Sequence, residues 1–315
     1  MSGGEIVDPR RVLARHGLSA KKSWGQNFLH DRAVVARIVA AAGAGADDVV
    51  VEIGAGLGTL TAALARAVPA PRQLLAIERD PDMQRVLAAE LAGEAHVQIV
   101  AADALAFDYA ETARAAGRPV VVVGNLPYQI SSALVLALVD AGARGAVARA
   151  VVMVQREMAQ RIVAPPGSRT YGRLTVAVAQ HAEARVLFHV RPGSFHPAPA
   201  VTSSVLSLAP RAAPLAPVRD PALFEAVVKQ AFATRRKMLR GALAAQFGEP
   251  AVTAAFAASG VAGTKRAEQL SVAEFARLAE ALASTLGPWE GPKPPATGSG
   301  EQSSPAPTRS TRGAR

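Results

Sequence analysis

The sequence predicts an α/β fold: a mostly parallel sheet with helices on both faces, followed by a small all-α C-terminal domain. Three observations carry this. Between Val49 and Val154, short β-branched runs alternate with longer stretches of helical spacing. Wholly apolar strands joined by crossover helices belong in a parallel sheet. Glycine or polar residues recur just past those runs, at Gly54, Glu78, Asp103 and Asn125, at steps of 24, 25 and 22 residues, one strand–helix unit each. Beyond residue 219 the strand-like runs stop and only helical patterns remain.

Taken in order, VVVEI (49–53) is a β-branched strand closed by glycines, and TLTAALARAV (59–68) has helical spacing. QLLAI (73–77) reads as a strand and PDMQRVLAAEL (81–91) as a helix with Pro in its first turn. HVQIV (96–100), VVVV (120–123) and AVVMV (150–154) are further strands. Between the last two, SSALVLALVDAG (131–142) is a helix with Ser at its start and Gly at its end. ARVLFHV (184–190) and VTSSVLSL (201–208) are closing strands. This places a first domain over 1–209, including an N-terminal helical extension. PRAAPLAPVR (210–219) has no period and reads as a linker. Residues 220–286 read as three helices: ALFEAVVKQAFATRRKMLRGAL, PAVTAAFAASG and SVAEFARLAEALAST. The Pro/Ser/Gly-rich stretch 287–315 reads as a disordered tail.

Composition narrows the function. Half of the 315 residues are hydrophobic and 19% are charged, which is ample for a packed core. No run reaches the roughly 18 apolar residues of a membrane span, and the first residues lack a secretory apolar stretch, so a cytoplasmic protein without a membrane role is expected. With no cysteine, disulfides, thiolate metal sites and a cysteine nucleophile are excluded, and no metal is expected. The net charge of +10 fits both a codon bias towards Arg and a polyanionic partner. Clustering favours the partner: Arg10, Arg11, Arg15, Lys21, Lys22, Arg32 and Arg37 face one acid, Asp31, within 10–40, and Lys229, Arg235, Arg236, Lys237 and Arg240 face none within 229–240. On one continuous helix, the second cluster forms a phosphate-contacting surface.

In an open parallel sheet, ligands bind outside the carboxyl ends of the strands. The turn Gly54-Ala55-Gly56-Leu57-Gly58 removes Cβ atoms where a ligand approaches the backbone. Glu78 can accept both ribose hydroxyls of an adenosine, and Asp103 can accept from an adenine amine or a neighbouring backbone group. The G-x-G-x-G spacing departs from the dinucleotide fingerprint G-x-G-x-x-G, which seats a pyrophosphate. It suits a phosphate-free nucleoside such as S-adenosylmethionine. Asn125-Leu126-Pro127-Tyr128 follows four valines. An exocyclic adenine amine is a poor nucleophile because its lone pair is delocalised. The Asn125 side-chain oxygen and the Leu126 carbonyl can accept both its N–H bonds, Pro127 fixes the turn without a competing donor, and Tyr128 offers a face for an unstacked base.

GQNFL (25–29), EIGAGLGTLT (52–61), AIERD (76–80), NLPY (125–128), FHPAPAVTSSV (195–205) and AFATRRKMLRGAL (231–243) together resemble the bacterial small-subunit (16S) rRNA adenine-N6,N6 dimethyltransferase family, KsgA/RsmA. The matches run in order over about residues 20–275. The resemblance implies a Rossmann-like, S-adenosylmethionine-dependent methyltransferase domain. It also implies dimethylation of two adjacent adenosines near the 3′ end of 16S rRNA, within the 30S subunit or its precursor. Cofactor positions carry over to Asn27, Leu29, Gly54, Glu78, Asp103 and Asn125, with GQNFL crossing the cofactor. Phe195 becomes a second aromatic near the target base. Ala200 stands where relatives usually carry Lys. Two alternatives stay open: a 23S rRNA adenine-N6 methyltransferase of the macrolide-resistance class, and a non-catalytic ribosome-assembly factor. A monomer is the simplest expectation.

Overall fold

The computed structural model describes residues 8–21, 24–234, 237–287, 289 and 291. Two helices, α1 (Pro9–Arg15) and α2 (Arg32–Ala42), flank a two-residue strand, β1 (Phe28–Leu29). The sheet then builds from β2 (Val49–Ile53), β3 (Gln73–Glu78), β4 (Val97–Ala101), β5 (Val120–Asn125) and β6 (Val147–Gln155). The connecting helices are α3 (Thr59–Ala65), α4 (Pro81–Glu90), α5 (Tyr109–Ala116) and α6 (Ser131–Ala143). After β6 come α7 (Arg156–Ile162), α8 (Arg173–His181), β7 (Ala182–Val190), β8 (Phe195–His196) and β9 (Ser203–Pro210).

The seven-stranded sheet has the order β4-β3-β2-β5-β6-β9-β7. β9 runs antiparallel to both of its neighbours, β6 and β7, and the other pairs in the sheet are parallel. The chain adds β3 and β4 on one side of β2, then returns to place β5 on the other, so the order reverses between β2 and β5. That is where an open α/β sheet leaves a crevice. Valine runs suit this position because both faces are covered. Val49 and Val51, with Val120 and Val122, enter a core with Leu134 and Leu138 of α6, whereas Val50, Val121 and Val123 enter one with Val35 and Ile38 of α2. The outer strand β7 departs from the expected double cover: alternate residues are exposed, including Leu187. Gly124 permits close contact between β2 and β5, since a Cβ there would lie 2.7 Å from the Ile53 carbonyl oxygen.

The first and last parts of this region meet in the β1–β8 ladder, which pairs Phe28 with His196 and Leu29 with Phe195. Ser194 Oγ donates to Asp31 at 2.9 Å, and Asp31 also caps α2. Two segments read separately in the sequence, GQNFL and FHPAP, are thus one structural unit.

Residues 211–219 contain no helix or strand, yet they are tied to α8. Gln180 is buried; its side chain donates to the Ala216 carbonyl at 2.6 Å and accepts from the Ala216 N–H at 3.2 Å. Among the described residues the C-terminal region then has four α-helices, α9 (Pro221–Ala233), α10 (Leu239–Phe247), α11 (Glu249–Ser259) and α12 (Val272–Leu286), where the sequence suggests three. The expected single helix through ALFEAVVKQAFATRRKMLRGAL is interrupted after Ala233. The Leu239 and Arg240 N–H groups donate to the Lys265 and Gly263 carbonyls instead of to an upstream turn, so α10 starts afresh. These helices share a core of Leu223, Val227, Leu243, Phe275 and Leu278 with Tyr171 and Val176 of the first region. Of the expected tail, Trp289 packs on Phe247 with ring centroids 5.2 Å apart; residues 288, 290 and 292–315 lie outside the described residues.

Candidate active site

A cavity of about 330 Å³ opens at the carboxyl ends of β2, β3, β4 and β5. Its wall includes all six expected cofactor positions, Asn27, Leu29, Gly54, Glu78, Asp103 and Asn125, together with Leu126, Pro127 and Tyr128. Strand register brings them together: Ile53 pairs with Ile77 on one side and with Gly124 on the other.

The glycine turn is held from below and from the side. Gly54 and Ala55 N–H groups both donate to the Ile77 carbonyl, at 2.9 and 3.2 Å. The Gly56 N–H donates to Glu78 Oε2 at 2.9 Å, and the Asp80 N–H donates to Glu78 Oε1 at 2.8 Å. Gly56 has φ +56°, and a Cβ there would come within 3.2 Å of the Phe28 ring, so any side chain would displace that wall. Burial pushes the Glu78 carboxyl above the ordinary carboxylate range, partly offset by the backbone donors. Asp103 is more open: it accepts from the Leu105 N–H at 2.9 Å and faces Arg79 at 3.7 Å.

Asn125 ends β5. Its side-chain Nδ2 donates to the Asn27 carbonyl at 3.1 Å, which leaves Oδ1 with no protein donor among the described residues. The Leu126 N–H donates to the Met153 carbonyl at 3.0 Å, and the Leu126 side chain is buried. Two acceptors, Asn125 Oδ1 and the Leu126 carbonyl, therefore stand without protein partners among the described residues. The Tyr128 hydroxyl bonds Ser203 Oγ at 2.7 Å, and Ser131 Oγ donates to the Tyr128 carbonyl at 3.0 Å.

Phe195 is placed differently from expectation. It is 3% exposed, packs with Leu29, Val34 and Val35, and does not line the cavity. Its backbone pairing in the β1–β8 ladder turns the side chain into the core, so no face is open to a base. Sequence reasoning also missed two wall residues. Trp24 lies with its ring 4.7 Å from the Arg79 guanidinium. Glu52 is 2% exposed; burial and the Glu78 charge push its carboxyl up to about 8, and its Oε2 has no partner among the described residues. Glu52 is the one charged residue in the wholly buried run VVVEI, a local signal that marks it out from its valine neighbours.

The expected phosphate-binding cations are dispersed. Arg235 and Arg236 lie outside the described residues. Lys237 is exposed, but in the break between α9 and α10 and not on a helix. Arg240 pairs with Glu249 at 2.6 Å. Arg15 and Lys21 of the N-terminal cluster are likewise paired, with Glu90 and with Asp80 and Asp82. Lys229 instead lines an open cleft of about 1210 Å³ between the two regions, together with Arg156, Arg161, Arg169 and Arg173. Arg173 is bonded to Glu225 at 2.8 Å. These arginines are spread through 156–173 and hidden from a search for dense charge runs. Among the described residues no cluster of side chains suited to a metal ion is found, and no helix is long and apolar enough to cross a membrane.

An open sheet with one antiparallel strand, a glycine turn after its first central strand and acids after the next two is a Rossmann-like methyltransferase architecture. A family profile described as Ribosomal RNA adenine dimethylase matches residues 17–284, and the chain belongs to that family. A protein from Anaeromyxobacter dehalogenans (strain 2CP-C), named Ribosomal RNA small subunit methyltransferase A, is 45% identical over 284 residues, spanning 87% of this chain and 97% of that protein. A protein of the same name from Methylobacterium radiotolerans is 47% identical over 284 residues, spanning 89% and 94%. Among solved structures, the 23S rRNA methyltransferase ErmE is 30% identical with a TM-score of 0.63, over 81% of this chain and 99% of that one. A dimethyladenosine transferase from Plasmodium falciparum, 22% identical over 80% and 95%, shares the fold with a TM-score of 0.66.

Proposed function

We propose that this chain uses S-adenosylmethionine to convert two adjacent adenosines near the 3′ end of 16S rRNA to N6,N6-dimethyladenosine, acting on the 30S subunit or its precursor in the cytoplasm. The observation that carries this is the Asn125 amide: its donor side is bound to the Asn27 carbonyl, so its oxygen is left for an incoming amine. The relatives at 45% and 47% identity are named for the small subunit, whereas the 23S methyltransferase is 30% identical. That difference favours the 16S substrate over the 23S alternative.

The wall residues fit the cofactor. Glu78 presents a carboxylate to ribose hydroxyls, the glycine turn admits a ligand against the backbone, and Asp103 faces the purine end. S-adenosylmethionine, when bound, supplies an electrophilic methyl on its sulfonium. Asn125 Oδ1 and the Leu126 carbonyl accept the two N–H bonds of the target amine and favour a pyramidal nitrogen. Tyr128 holds the extruded base by its ring, because its hydroxyl is engaged by Ser203. No strong base is required, since the methylated nitrogen releases its proton readily to water. Lys229, Arg156 and Arg161 of the cleft contact phosphates, and Arg235, Arg236 and Lys237 serve as further RNA contacts.

The test is tritiated methyl transfer to unmethylated 30S subunits, with 50S precursors and free 23S rRNA in parallel and Asn125→Ala as control. Label in 30S, recovered as N6,N6-dimethyladenosine and lost with Asn125→Ala, is expected. Label confined to 23S rRNA moves the protein to the other substrate. Tight 30S binding without label assigns it an assembly role alone.

A further inference from the structure

The wall of the cavity contributed by residues 24–29 is fastened at both ends, and one fastening lies outside the cavity. Asp80 is 0% exposed. Its carboxylate accepts from Lys21 Nζ at 2.8 and 2.9 Å, from Gln26 Nε2 at 2.8 Å, and from the Asp82 N–H at 3.0 Å as the cap of α4. Lys21 also donates to Asp82 at 2.7 Å, and its backbone N–H donates to Gln26 Oε1 at 2.9 Å. At the other end, the Asn27 carbonyl receives the Asn125 amide. Between them Asn27 Nδ2 closes onto the Gly25 carbonyl at 2.9 Å. Asp80 is joined in turn to the ribose acceptor, because its N–H donates to Glu78 Oε1. Polar contacts therefore run from Glu78 through Asp80 and Lys21 to Gln26, and the backbone carries the link from Gln26 to its neighbour Asn27, whose carbonyl meets Asn125.

We propose that Asp80 and Lys21 are positioning residues: they fix the Asn27 carbonyl in place and so hold Asn125 with its oxygen towards the target amine. This rests on the reading of Asn125 as acceptor of that amine. Removing a donor from a buried carboxylate leaves charge without a partner, so the Gln26 end of the wall shifts once Lys21 is lost. Lys21 does not line the cavity, and its effect on transfer is exerted through Asn27. The aspartates hold the Lys21 ammonium above its ordinary pKa, the hydrogen bond to Asp80 most strongly.

The test is single-turnover methyl transfer to unmethylated 30S subunits at saturating S-adenosylmethionine, with cofactor Kd and melting temperature measured on the same proteins. Lys21→Met is expected to slow transfer at least tenfold while cofactor Kd changes less than threefold, in protein whose melting temperature is lowered, because buried Asp80 loses its cation, but which is still folded at the assay temperature. Lys21→Arg is expected to recover the rate to within threefold. In an Asn125→Ala background, adding Lys21→Met is expected to slow the residual rate less than twofold. A wild-type rate in Lys21→Met, with Asn125→Ala impaired, overturns the positioning role and leaves the Asn125 reading intact. A wild-type rate in Asn125→Ala overturns that reading and the positioning role with it. A full tenfold further loss in the double variant routes the Lys21 effect elsewhere and also overturns the proposal.

Discussion

Tyr128 Oη and Ser203 Oγ lie 2.7 Å apart, joining the turn after β5 to the first residue of the antiparallel strand β9. Ser203 is fully buried, and burial holds the Tyr128 phenol above its ordinary pKa. The hydroxyl is thus a fixture, which leaves the ring as the expected working surface. Tyr128→Phe is expected to keep the transfer rate within about threefold. Tyr128→Ala removes a base–aromatic stack worth about 1–3 kcal/mol and is expected to cost roughly 5- to 150-fold. Equal losses in both variants, measured in single turnovers, would assign the chemistry to the hydroxyl instead.

Glu78 is expected to set the pH dependence of cofactor binding. Its carboxyl is raised by burial, and hydroxyl donors prefer its ionised form. Affinity for S-adenosylmethionine is expected to weaken as pH falls, starting above the usual carboxylate range. Glu78→Gln is expected to weaken binding by about tenfold or more, as hydrogen bonds to charged groups contribute about 1.5–3 kcal/mol, and to flatten the pH profile. Calorimetric titration across pH checks both; an unchanged profile in the variant removes Glu78 as its source.

Glu52 acts on stability in the opposite sense from a salt-bridged acid. Its folded pKa of about 8 lies above the ordinary 4.5, so the folded chain retains a proton that the unfolded chain has lost. Stability from this group is full below the lower value and is lost as pH rises towards 8, by up to about 1.4 kcal/mol per pH unit. The isosteric Glu52→Gln is expected to melt progressively higher than the wild type between pH 5 and pH 8.5. A melting-temperature difference independent of pH would show that no buried proton is held there.

Salt dependence separates contacting cations from paired ones. Arg156→Ala and Arg161→Ala, in the cleft, are each expected to reduce the slope of log affinity against log salt by about 0.7–0.9 in 30S binding. Arg240→Ala is expected to leave the slope unchanged, because Glu249 already neutralises that guanidinium. Replacing Arg235, Arg236 and Lys237 together by Ala is expected to weaken binding and flatten the slope. A flattened slope in Arg240→Ala would return that residue to the contact surface.

The cavity was legible because each of its parts is local: a strand ends, and the residue just beyond it faces the ligand edge. Gly54, Glu78, Asp103 and Asn125 needed only the strand–helix period to be placed in one crevice. Phe195 was misplaced because its side-chain direction depends on pairing with Leu29, a partner far off in the chain. The break after Ala233 escaped notice because no Pro or Gly marks it between Ala233 and Leu239, while the cause, carbonyls at Gly263 and Lys265, lies elsewhere. The charge runs misled for a related reason. Composition counts cations, but only tertiary structure assigns Glu90 to Arg15 and Glu249 to Arg240. It also gathers arginines spread along 156–173 into one cleft.

The short ladder between Phe28–Leu29 and Phe195–His196 has a consequence in time. A ribosome adding roughly 5–20 residues per second delivers His196 on the order of 10–30 s after Phe28. Throughout that interval the strand that seats one wall of the cavity has no partner. The enzyme therefore stays unassembled during most of its own translation and gains its site only when the distant strand emerges.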